Sequence, residues 1–245
     1  MSYADCRSLV DRLTDELQHV GGANAGIAPA VRRLVDRLHD ACWSSPQARD
    51  RGMSSLVDAA RGSDSCRGRL GGLNEAEFAR RVARLAVRSC IPTALRALAL
   101  CRARPDRPPL IRAADLCERK PTRAHVREAR AAVHYAASAD DYAAAAVAYA
   151  DAAYAFSAAG YGPWYDGRYP IACGDSAYAA AAAADASAHA AAGSANLDPA
   201  YANVANASAV AADDALTAFV DGVVQILNAL KDPNTGYVIE WDYER

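Results

Sequence analysis

Aromatic side chains are few, 7% of the 245 residues, and Lys120 is the only lysine among the first 132. No run of 18 or more strongly apolar residues occurs, and Asp185 and His189 interrupt the alanine runs, so no segment is expected to span a bilayer. Asp5, Arg7, Asp11 and Arg12 interrupt any apolar core near the N-terminus, which argues against an export signal and predicts a cytoplasmic protein. There is no Gly-rich phosphate loop, no His-Glu-x-x-His zinc helix and no Gly-x-Ser-x-Gly nucleophile turn. His19, His39, His125, His134 and His189 include no pair three or four residues apart, which excludes a two-histidine site on one helical turn. Asp185 and His189 are one turn apart and read as an ordinary surface pair. The seven cysteines, Cys6, Cys42, Cys66, Cys90, Cys101, Cys117 and Cys173, contain no pair at metal-ligand spacing and read as reduced, mostly buried thiols. The expectation is a protein without metal, cofactor or catalytic machinery.

What is abundant is alanine. It dominates the 52% hydrophobic fraction, favours helix and buries little area per residue. The predicted fold class is all-α: a multi-helix bundle or array of close-packed alanine-rich helices, with a short C-terminal extended segment. The net charge of −2 conceals a split. Residues 1–132 hold 24 Lys and Arg against 15 Asp and Glu, net +9, while residues 133–245 hold 3 against 14, net −11. Such surfaces attract each other, a partner or a second copy of the chain.

Apolar residues at helical spacing predict helices over 3–20 and from Pro29 towards Trp43, with a short helix and then a loop over 44–72. Asn74 and Glu77 have capping-box spacing ahead of Phe78, Val82, Leu85 and Cys90. Pro92 is expected to kink or divide this helix from the next. Pro105, Pro108 and Pro109 mark a connection, and Thr122 is placed to cap the following segment. Over 122–159 the breakers almost vanish, and Tyr135, Tyr142, Tyr149 and Phe156 recur every seven residues, forming one stripe on a helix. Unbroken, that helix would be about 57 Å long; a turn over 138–141 is the alternative. The stripe is read as core packing.

The pattern breaks over 160–174, where Tyr161, Trp164, Tyr165 and Tyr169 crowd one loop; these residue types anchor interfaces as well as pack loops onto helices. Asp175 is expected to cap the next alanine-rich helix, and a last helix ends on Leu216, Phe219, Val220, Val223 and Leu227 as core. Tyr237, Ile239, Trp241 and Tyr243 alternate with Val238, Glu240, Asp242 and Glu244, as in a half-buried strand suited to pairing with a partner. The domain reading is 1–72, an N-terminal helical region; 73–232, a helical bundle; and 233–245, an extended tail, with 1–232 a single domain as the alternative.

Residues 107–135, with Pro108-Pro109, a short helix ending at Arg119 and an alanine-rich stretch opening at Thr122, resemble the immunity-protein domains of bacterial toxin systems and related bacterial and phage proteins. The likeness covers about residues 75–195. It implies a helical protein that neutralises another protein by binding it, with no catalytic residues to carry over. The expected function is a non-enzymatic protein-binding module, an immunity or inhibitor protein of a bacterial or phage conflict system. Its expected contacts are Tyr161, Trp164, Tyr165, Tyr169, Trp241 and Tyr243. One alternative is an acidic mimic of nucleic acid that blocks a DNA-handling protein. Another is direct nucleic-acid binding through Arg80, Arg81, Arg84 and Arg88, whose spacings share a helical face. A homo-oligomer also fits the charge split.

Overall fold

Alanine sets the centre of the fold. The structure is a computed structural model that describes residues 27–60, 73–101, 104–136, 141–158, 168–195 and 201–231. Its helices are α1 (Pro29–His39), α2 (Pro46–Ala60), α3 (Glu75–Leu85), α4 (Ile91–Cys101), α5 (Arg107–Arg119), α6 (Arg123–Ala136), α7 (Asp141–Ala158), α8 (Arg168–Ala195) and α9 (Tyr201–Lys231). Helix α8 is the hub: α1, α3, α4, α7 and α9 all pack against it. Its inward positions are Ala172, Cys173, Ser176, Ala177, Ala180, Ala183 and Ala184, and side chains this small let several helices approach one axis. The surrounding helices supply the bulk, with Leu34 and Leu38 from α1, Phe78 from α3, Leu95 from α4 and Leu216 and Phe219 from α9 fully buried. Each contributes about 1.5–3 kcal/mol by leaving water. Met53 and Leu56 of α2 join the same core, so residues 29–60 share one interior with the helices that follow. Among the described residues there is no strand; the helix expected over 3–20 and the tail over 233–245 lie outside them.

Local chemistry fixes the helix ends. Asn74 Oδ1 accepts from Glu77 N at 3.1 Å and Thr122 Oγ1 from His125 N at 3.3 Å, the two caps expected from the sequence. One further cap comes from a distant helix, where Ala30 N in the first turn of α1 donates to Glu75 Oε2 at 2.9 Å, and Ser44 N in the connection before α2 donates to Asp213 Oδ1 of α9 at 2.9 Å.

Three boundaries differ from the expectation. Pro92 does not divide its helix. The chain passes from α3 to α4 through one π-helical turn, Ala86–Cys90, in which Ile91 N–H reaches back five residues to the Ala86 carbonyl; the wider turn accommodates a ring that lacks the next donor. Pro108 and Pro109 are the opening of α5 rather than a connection, since first-turn amides have no intrahelical acceptor to lose. Pro170 likewise sits in the first turn of α8, which starts at Arg168 instead of after Asp175. The long alanine segment is not one rod, because α6 and α7 pack side by side; the turn expected over 138–141 lies, up to 140, outside the described residues.

Candidate functional site

Helix α7 is alanine on nearly every face, so the identity of its buried side is decided by fit. Ala143, Ala146, Val147, Ala150 and Ala153, spaced three and four apart, are the buried set. Small residues allow the close approach to α8 that large rings would prevent. The aromatic stripe is thereby turned outward: Tyr142 is 45% exposed, Tyr149 39% and Phe156 42%, and Tyr135 at the end of α6 is 90% exposed. The reading of this stripe as core packing is therefore corrected. Its spacing was legible, but the side of the helix it occupies was not, because alanine, the smaller residue, wins the tight interface.

The stripe borders the α7–α8 seam, and α8 adds rings to it. Tyr149 stacks on Tyr178 with ring centroids 5.1 Å apart and an interplanar angle of 30°. The Arg37 guanidinium of α1 lies over the Tyr178 ring, 4.8 Å from its centroid. Two turns earlier on α7, Tyr142 faces His189 at 6.4 Å with the rings tilted by 48°. These two pairs show α7 and α8 running antiparallel, which brings Phe156 to the level of exposed Ile171. The result is a row of partly exposed rings held in place by stacking and by one cation, with apolar faces still open to solvent.

Of the sequence-predicted contacts, Tyr169 alone is described: it packs against the core, its hydroxyl accepts from Arg168 Nη2 at 2.9 Å, and the Arg168 guanidinium lies 4.7 Å over its ring. It therefore secures the start of α8. Tyr161, Trp164, Tyr165, Trp241 and Tyr243 lie outside the described residues. Arg80 and Arg81 do not form a free cationic face, since both bond to Glu77, Arg81 Nε at 2.7 Å. Arg84 is half-buried, Arg88 is exposed, and the charge of Arg88 helps to hold the Glu118 carboxyl low. The four arginines are thus engaged with carboxylates in part rather than presented together.

Of the described cysteines, Cys42 and Cys101 are exposed and Cys90, Cys117 and Cys173 are buried. Burial pushes the Cys90 and Cys117 thiols up to about 12, and raises Cys173 too, so they are protonated and inert near neutrality. Asp185 is raised by burial, with neither hydrogen bond nor ion pair to His189. Among the described residues no group of three His, Cys, Asp or Glu is placed to hold a metal ion. Arg96 ties α4 to α5, with Nη2 2.9 Å from Asp115 Oδ1 and a second bond to Glu118; the Arg96 bond holds the Glu118 carboxyl below its usual range. Among the described residues no helix is long and apolar enough to cross a membrane. No protein-family model, curated protein or solved structure matches the chain.

Proposed function

We propose that the protein is a non-catalytic binding module that grips a basic surface of another protein along the α7–α8 aromatic row. The observation that carries this reading is the outward heptad of Tyr142, Tyr149 and Phe156. Large rings on a helix whose own packing needs only alanine contribute little to the interior, whereas aromatics in a partner's pocket dominate interface energetics. The charge of the partner follows from two features. Residues 133–245 carry net −11, which steers a cationic surface towards this half. The row's own Tyr178 already accepts a guanidinium on its face, the contact that a partner's arginine would repeat on Tyr142 or Phe156. The resemblance to immunity-protein domains supports an inhibitory role, with a toxin of a bacterial or phage conflict system as the partner. The pairing of Arg80 and Arg81 with Glu77 speaks against nucleic acid as the main ligand.

A photo-crosslinking amino acid placed at Tyr149, with a control at exposed Val210 of α9, tests the reading in lysate of a bacterium that carries the gene. The expected result is one basic protein crosslinked from position 149, weakened as salt rises. No product, or the same product from position 210, overturns it.

A further inference from the structure

Where α6 and α7 face each other, the opposed residues are too small to close the gap. Ala131 and Val133 on α6 and Ala144, Val147 and Ala148 on α7 form the floor of an open cleft of about 660 Å³, within the roughly 300–1,000 Å³ typical of small-molecule sites. One wall carries two guanidiniums and an imidazole. Arg127, Arg130 and His134, at intervals of three and four residues, share one face of α6 and line the cleft. Arg127 and His134 have no hydrogen bond or ion pair among the described residues. Arg130 pairs loosely with Asp151, Nη1 3.9 Å from Oδ2, too far for a direct hydrogen bond, so a ligand carboxylate competes with Asp151 for its fork.

We propose that this cleft binds a small organic anion: a carboxylate head held by Arg127 and Arg130 and an apolar body laid on the alanine and valine floor. The two halves of the site select for the two halves of the ligand. A planar guanidinium grips a carboxylate through paired hydrogen bonds, and two of them repel a cation. The floor offers no polar side chain, so a bare inorganic ion would leave most of the volume unused. The helix termini do not oppose this: the carbonyl end of α6 disfavours an anion and the amide end of α7 favours one, and both effects fade within a turn. The site lies apart from the outward ring faces of α7, and the inference does not rest on the proposed protein-binding role.

The test is titration of the full chain with octanoate, followed by calorimetry and by NMR shifts of the alanine methyls, alongside octanol and octylammonium. Octanoate is expected to saturate one site, and both controls are expected to bind at least tenfold more weakly. The double variant Arg127→Gln, Arg130→Gln should weaken octanoate at least tenfold by removing the head contacts. Ala148→Leu should do the same by filling the floor; Ala148 is exposed, so its melting temperature serves as the check that the fold is kept. Absence of saturation, octylammonium binding as tightly as octanoate, or octanoate binding unchanged in either variant overturns the proposal.

Discussion

At residue scale, the fit between Trp43 and Gly52 shows how the chain spends its few large side chains. The Trp43 indole donates from Nε1 to the Leu38 carbonyl at 2.8 Å, and the far edge of its ring lies where a Cβ on Gly52 would stand. Gly222 has a similar neighbour, Leu85, whose Cδ2 would be 2.7 Å from a Cβ there. A leucine tip rotates aside; an anchored indole does not. Gly52→Ala should therefore cost about 1–3 kcal/mol by overpacking and shift the tryptophan emission, while Gly222→Ala should cost less. Chemical denaturation with fluorescence detection measures both, and equal losses would contradict the ranking. The short helix here was legible but the packing of this position was not: Gly52 stands in a stretch rich in Ser, Arg and Asp, and nothing in it marks the glycine as buried inside α2. The reason is tertiary, since the ring that needs the space lies nine residues earlier, beyond a helix end.

At element scale, the capped starts at Asn74 and Thr122 were readable, while the start of α8 and the places of Pro92, Pro108 and Pro170 were not. Asn74 and Thr122 carry their capping groups in the side chain itself, so sequence suffices to find them. Pro92, Pro108 and Pro170 were read as breaks because a proline interior to a helix lacks a donor, but two of them occupy first turns and the third is absorbed by a π turn. The aromatic heptad shows the same division. Period came from sequence, while orientation depended on which neighbour α7 would meet. Helix α3 offers a test of the nucleic-acid alternative. Glu77 engages both Arg80 and Arg81, and helical pairs at these spacings are each worth about 0.2–0.5 kcal/mol. Glu77→Gln should lower stability by about 0.5–1 kcal/mol and increase retention on duplex DNA at low salt, because two arginines lose their carboxylate. If the native chain already binds DNA with a salt dependence equivalent to three or four phosphate contacts, and Glu77→Gln leaves it unchanged, the arginine face is functional as it stands.

For the whole molecule, the opposite charges of the two halves meet in part within one chain. Helix α1 from the basic half packs on α8 from the acidic half, with Arg33 beside Asp175 and Arg37 over Tyr178, and Arg130 lies near Asp151 on α7. The charge split was legible; its internal use was not, because it depends on which helices become neighbours of α8. What this packing leaves outward is the aromatic row, and the central claim is that these rings serve a partner rather than the interior. The most direct measurement is the variant Tyr149→Ala, Phe156→Ala, assayed for both melting temperature and capture of the basic protein that crosslinks from position 149. A loss of no more than about 1.5 kcal/mol is expected, the cost of exposed side chains and one stacked pair, together with loss of capture. A loss of about 6 kcal/mol or more, the cost of two buried aromatics, with capture retained in the fraction still folded, would contradict it.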